Sequence, residues 1–231
     1  MPGKVQPVLV ARRNLAVVGL VLVAIAAGAP VAAVSGRVTM LDKENQPGDD
    51  VGQAVIWLSG APARPRPPVQ TDMGTSGKEF SPHVLVVPMG STVSFSNYDP
   101  FHHNVFSLSE ENPFDLGLYG RGESRSVRFD QPGLVRVYCN VHAQMSALVL
   151  VRETPWYTQP ASDGSFALSG VPAGDYTLHA WHERAAEVTR PLTVPAEGVE
   201  QMALELDARG HEFKPHLNKH GQPYPQQGRR Y

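Results

Sequence analysis

Tyr138-Cys139-Asn140-Val141-His142-Ala143-Gln144-Met145 holds the only cysteine in the chain, with a histidine three positions on and a methionine three beyond that. The spacing is C-x2-H-x2-M. A thiolate, an imidazole and a thioether on one short stretch form a soft donor set, and soft donors favour copper. The same stretch predicts local structure. Val135, Val137 and Cys139 share one face of a strand by its period of two, and Ala147-Leu148-Val149-Leu150-Val151 reads as the returning strand. Cys139 therefore ends one strand and Met145 nearly begins the next. The donors lie on the connecting loop, at one end of a sandwich that holds it rigid.

Upstream, Phe101-His102-His103-Asn104-Val105-Phe106 offers a further imidazole. Two histidines and a cysteine in a trigonal plane, with a weak axial methionine, describe a blue-copper electron-transfer centre. Taken alone, Cys139 would more often be a buried structural residue. Three soft donors within seven residues are not how a core is filled. Strand alternation sends His102 and His103 to opposite faces, so only one of them coordinates, and the residues alone leave open which. The side-chain amide of Asn104 is placed to bond backbone of the Cys139 loop and tie the two segments together.

His103-Asn104-Val105 with Cys139-x2-His142-x2-Met145 resembles the cupredoxin family over roughly residues 69–151. The ligand loop is spaced as in amicyanin and is shorter between His and Met than in plastocyanin. The resemblance implies one type 1 copper ion, with His103, Cys139 and His142 as equatorial ligands and Met145 as the axial one. It also implies an electron port at the outer edge of His142, inside an apolar patch that docks a redox protein. An exported protein of the methylamine-utilisation type is the setting it suggests. Residues 108–122, with Pro113, Gly117 and Gly120, read as a long loop that a minimal cupredoxin lacks.

The rest of the chain frames this module. With 42% hydrophobic residues in 231, there is material for a real core. Twenty-one Gly and 21 Pro between short apolar runs read as a turn-rich β protein. Lys4, Arg12 and Arg13 precede an apolar run over residues 15–33 that ends in small residues, the pattern of a signal peptide cleaved after Ala33. An uncleaved membrane anchor is the competing reading, since the run approaches the ~20 residues of a membrane span. Arg12-Arg13 weakly resembles a twin-arginine signal. Export puts the protein in the bacterial periplasm or outside the cell, where an odd cysteine is either a free thiol or occupied, and metal ligation occupies it. Outside the first 33 residues acids outnumber bases, which argues against a nucleic-acid-binding surface.

Asp163-Gly164-Ser165-Phe166, Val171-Pro172-Ala173-Gly174-Asp175-Tyr176 and Leu178 resemble a carboxypeptidase-regulatory-like β-sandwich. Gly36-Arg37-Val38-Thr39 and Ala54-Val55-Ile56-Trp57-Leu58 look like the opening strands of that family. Two strands over 34–58 could not fold alone, and insertions succeed at exposed loop tips. The expected fold is therefore all-β: a cupredoxin Greek-key sandwich at 63–153 inserted into a small prealbumin- or Ig-like sandwich formed by 34–62 and 154–207. A signal helix at 1–33 precedes it. Residues 61–68, with four prolines, read as a linker, and the polar tail 208–231 is assigned no fold. Three independent pieces in a row is the weaker alternative.

His83 reads as a surface or packed histidine. His179 and His182, three apart on a strand, face opposite ways and are a poor chelating pair. His211, His216 and His220 read as solvated tail, and Trp156 and Trp181 as packing. An enzyme would need an open coordination position or a second metal, and the sequence shows no second Cys/His cluster. The expectation is a monomeric one-electron carrier, not an enzyme. It has a redox protein as donor and acceptor, no nucleic acid, and a membrane only if the N-terminal segment stays attached. A copper-delivery protein, or a structural sandwich with an accessory copper site, are the alternatives.

Overall fold

The computed structural model describes residues 32–224 apart from 45, 47, 49, 62 and 63. The expected signal segment lies outside these residues, except that Ala32 and Ala33 belong to the first strand. No helix among the described residues is long and apolar enough to cross a membrane. Two strands come first, β1 (Ala32–Leu41) and β2 (Val55–Ser59). In β1, Val34, Val38 and Met40 are buried at even spacing, as a one-sided strand requires. In β2, Val55, Ile56, Trp57 and Leu58 are all buried, so both faces are covered.

The next ten strands build a separate sandwich. They are β3 (Gln70–Asp72), β4 (Gly74–Ser76), β5 (Glu79–Ser81), β6 (Val84–Pro88) and β7 (Ser91–Ser96). Then follow β8 (His103–Ser107), β9 (Phe114–Tyr119), β10 (Ser124–Phe129), β11 (Gly133–Cys139) and β12 (Ser146–Arg152). One sheet runs β10-β7-β3 and the other β6-β12-β11-β8-β9, while β4 and β5 form a hairpin of their own. Val93, Phe95 and Phe129 from the first sheet meet Val105, Val135, Val137, Val149 and Val151 from the second. Cys139 and Met145 belong to this core.

Strand β9 corrects the sequence reading of 108–122 as loop. It pairs antiparallel with β8, and the register shifts between Asn104 and Phe106. Gly117 sits at φ 67°. A glycine at positive φ absorbs the extra residue of such a bulge. Pro113 and Gly117 broke the apolar alternation, so no strand could be read there.

The chain then returns to its first strands with β13 (Tyr157–Thr158), β14 (Ser165–Val171), β15 (Gly174–His182), β16 (Ala185–Val194) and β17 (Val199–Asp207). The sheets are β14-β1-β17 and β13-β2-β15-β16. Strand β1 thus lies between an antiparallel and a parallel neighbour from the far end of the chain. A Cβ at Gly36 would collide with the Met202 carbonyl, so the close approach of β1 to β17 requires glycine.

The sandwiches share a seam. Val55, Trp57 and Tyr157 pack against Val84, Leu148 and Leu150. This explains the unbroken apolar runs in β2 and β12. Ala147, Val149 and Val151 fill one core, while Leu148 and Leu150 fill the seam. Arg66, in the proline-rich crossing read as a linker, donates from Nε to the Pro155 carbonyl (2.6 Å) and from Nη2 to that of Tyr157 (3.0 Å).

An ion pair crosses the seam as well. His83 Nε2 lies 2.6 Å from Glu183 Oε2, and Nδ1 lies 3.1 Å from the Ser146 carbonyl. The Glu183 hydrogen bond raises the His83 pKa above 6.5 against burial. The His83 hydrogen bond lowers Glu183 below 4.5, again against burial. The His83 contribution is complete below pH 6.5 and is lost as pH rises through its raised pKa. The Glu183 contribution is complete above pH 4.5 and is lost as pH falls through its depressed pKa. The pair therefore stabilises most between these values. Both side chains are about 30% exposed, so the gain is about 0.2–1 kcal/mol. Glu183→Gln is expected to cost more stability at about pH 5.5 than at about pH 8.5 in urea unfolding. Equal costs at the two values would remove the pair from the account.

The C-terminal segment is a second correction. Residues 208–224, read as an unfolded tail, run across the sandwich formed by β3 to β12. His216 stacks on Tyr138 at 4.2 Å between ring centroids. The Lys219 N–H donates to Asn140 Oδ1 at 3.0 Å, and the Tyr224 hydroxyl donates to the Cys139 carbonyl at 2.6 Å. Polar composition shows that a segment has no core of its own. It does not show whether a neighbouring module offers it partners.

Candidate metal centre

Strand β11 delivers Cys139 to its last position because Val135, Val137 and Cys139 all face the core. The chain then turns tightly. The Met145 N–H donates to the His142 carbonyl (3.0 Å) and the Cys139 N–H to that of Met145 (3.2 Å). Val141 N–H points at Cys139 Sγ from 3.4 Å. The Asn140 N–H donates to the Asn104 carbonyl at 2.8 Å, which fastens the loop to β8. The predicted tie through the Asn104 side chain is therefore made by its backbone. The side-chain amide donates instead to Asp115 Oδ1 at 2.6 Å.

These constraints bring three donors together. His103 Nδ1 is 3.6 Å from Cys139 Sγ, His142 Nδ1 is 3.9 Å from the same sulfur, and the two Nδ1 atoms are 3.2 Å apart. His103 and Cys139 are fully buried, and His142 is half-buried. For metal bonds of about 2.0–2.1 Å to nitrogen and about 2.3 Å to sulfur, a trigonal plane needs edges of about 3.5 and about 3.8 Å. The observed triangle fits one metal ion at its centre. Met145 is 1% exposed and lies in the same buried cluster as Cys139. His102 is exposed, on the other side of the chain from His103.

The far side of His103 is also held. Its Nε2 lies 3.0 Å from Asp99 Oδ2. Asp99 is 4% exposed and accepts the N–H groups of Gly77 (2.7 Å) and Lys78 (3.0 Å). Burial opposes its ionisation, but hydrogen bonds from Lys78, His103 and Gly77 outweigh this and hold its pKa below the ordinary value. The His142 pKa is lowered, first by burial and then by His103 and Lys78. That favours a neutral imidazole with a free lone pair, the form that binds metal. Asp115 is also tied in. Burial would raise it, but Lys219, Gly117 and Asn104 hold it at about 2.

Asp99, Asp115, Lys219 and Tyr224 were not singled out from the sequence. Asp99 stands four residues before His103, and only that spacing offered a hint. For Tyr224, 85 residues from Cys139, there was none. The discounted histidines have structural roles. His179 stacks on Trp57 at 4.6 Å, and His182 is buried beside the Asp50 carbonyl at 3.3 Å. Among the described residues no other group of three or more His, Cys, Asp or Glu is arranged to hold a metal. Beside His142, Phe101 and Val141 are exposed by 44 and 42%. Phe101 meets the His142 ring edge-on at 6.2 Å.

Several known proteins are similar to part of this chain. A purple cupredoxin from Nitrosopumilus maritimus is 24% identical over 36% of this chain and 99% of its own, with a TM-score of 0.32. A copper-containing nitrite reductase from Thermus scotoductus SA-01 is 30% identical over 41% of this chain but only 24% of its own, with a TM-score of 0.34. An amicyanin variant in its reduced Cu(I) form is 20% identical over 35% of this chain and 80% of its own, with a TM-score of 0.34. No curated protein matches the chain. Residues 68–152 match the family model of copper binding proteins of the plastocyanin/azurin family, and this stretch of the all-β chain is the sandwich that carries His103, Cys139, His142 and Met145.

Proposed function

We propose that this protein is an exported mononuclear blue-copper protein that carries single electrons between redox partners. The observation that carries the reading is the triangle of His103 Nδ1, Cys139 Sγ and His142 Nδ1, with edges of 3.2–3.9 Å. Bound copper would supply the one-electron couple. The protein's part is to keep the donors still. His103 is fixed from β8, and Cys139 and His142 from a loop closed by its own backbone bonds and fastened to Asn104. Such a frame would let both oxidation states of a bound copper share nearly one geometry, with Met145 as a further donor and the Val141 N–H at sulfur tuning its potential.

His142 is the half-buried ligand, and Phe101 and Val141 are exposed nearby. That combination suits a small, weak redox encounter. The outer sandwich, which resembles a carboxypeptidase-regulatory-like domain, serves as a spacer or docking module. The amicyanin-like loop spacing suggests an amine-oxidising pathway. The test is to add one equivalent of copper to the full chain and record the visible spectrum and voltammogram. A strong thiolate-to-copper band with a reversible one-electron wave is expected. Fast metal exchange without a reversible wave would mean copper delivery. Failure to take up copper would leave a structural sandwich.

A further inference from the structure

Strands β4 and β5 form a hairpin whose turn residues, Gly77 and Lys78, both have positive φ, at 66° and 62°. Their two N–H groups converge on the Asp99 carboxylate. The Asp99 N–H is itself bound by Asn97 Oδ1 at 2.9 Å. The carboxylate therefore cannot swing away, and its Oδ2 is left facing His103 Nε2. A carboxylate flanked by backbone donors can only accept here, so the imidazole must donate from Nε2. Its lone pair then lies on Nδ1, the atom 3.6 Å from Cys139 Sγ.

We propose that Asp99 is a positioning residue for the metal: gripped by the Gly77–Lys78 turn, it fixes the Nε2–H tautomer of His103, presents Nδ1 for bonding, and weights bound copper toward the oxidised state. This rests on the copper reading given above. Two effects act in the same direction. A carboxylate on the outer N–H raises the basicity of a ligating imidazole. Its negative charge also attracts the more positive Cu(II) site more than the Cu(I) site, in a buried setting where water screens little. Nothing in the chemistry of His103-Asn104-Val105 alone supplies this charge. It depends on a turn more than 20 residues upstream in the chain.

The experiment compares wild-type, Asp99→Asn and Asp99→Ala full chains, each loaded with copper. Removing the charge is expected to shift the Cu(II)-to-Cu(I) affinity ratio about tenfold toward Cu(I). For a one-electron couple that is an upward shift of about 59 mV. The thiolate-to-copper band should persist in Asp99→Asn, because Cys139 is untouched. Potentials equal to wild type in two folded, coloured variants would overturn the proposal while leaving the copper reading intact. A wild-type chain that shows no band would instead defeat the copper reading. A second measurement needs no variant. In the copper-free wild-type chain, nitrogen NMR of the histidine rings should find His103 as the Nε2–H tautomer, and an Nδ1–H tautomer would overturn the assignment.

Discussion

Replacing Cys139 with serine should abolish the visible thiolate-to-copper band completely. The band requires sulfur covalency, and the chain contains no other thiol. Copper affinity should fall by more than about 100-fold, since the loss of an outer hydrogen-bond partner alone costs about 10–100-fold. The fold should survive the change. Cys139 is fully buried, and burying an unbonded hydroxyl would cost about 1–3 kcal/mol. However, the Val141 N–H already points at the sulfur position and gives a serine oxygen a donor. Optical titration with copper, alongside thermal unfolding of the metal-free chain, separates the two effects. Colour that persists in a folded Cys139→Ser chain would reassign the site.

The paired histidines should give opposite results. His103→Ala removes a fully buried ring that touches Asp99 on one side and faces Cys139 on the other. The blue site should be lost. The metal-free chain should also weaken by about 1–3 kcal/mol, because a buried carboxylate loses one of its partners. His102→Ala alters an exposed side chain, so its stability should stay within about 0.5 kcal/mol, with the spectrum unchanged. The same titration and unfolding curves report both. A colourless His102→Ala chain would exchange the assignments of the two residues.

Legibility differed from element to element for physical reasons. Strand β11 was readable because Val135, Val137 and Cys139 face one core and alternate with Arg136 and Tyr138. Strand β9 was not, because a proline at its start and a positive-φ glycine within it erase the alternation while leaving edge pairing possible. The seam between the sandwiches was not visible in the sequence. The runs in β2 and β12 read as strands, but nothing in either run showed that its second face is covered or named the other as its cover. Residues 208–224 failed as a compositional reading, since stacking of His216 on Tyr138 and the Tyr224 hydroxyl bond depend on where a distant strand has already been placed.

The sequence by itself determined the donor chemistry and the β class. A lone cysteine, a histidine and a methionine at three-residue spacing constrain one another through the short loop that carries them, and apolar period two needs no partner to be recognised. Only the tertiary structure decided how His102 and His103 divide between solvent and core, and that a carboxylate stands behind the buried ring. It alone showed that the C-terminal segment reaches β11. These depend on contacts between residues far apart in the chain, whose closure is set by the packing of whole sheets and leaves no periodicity in the local sequence.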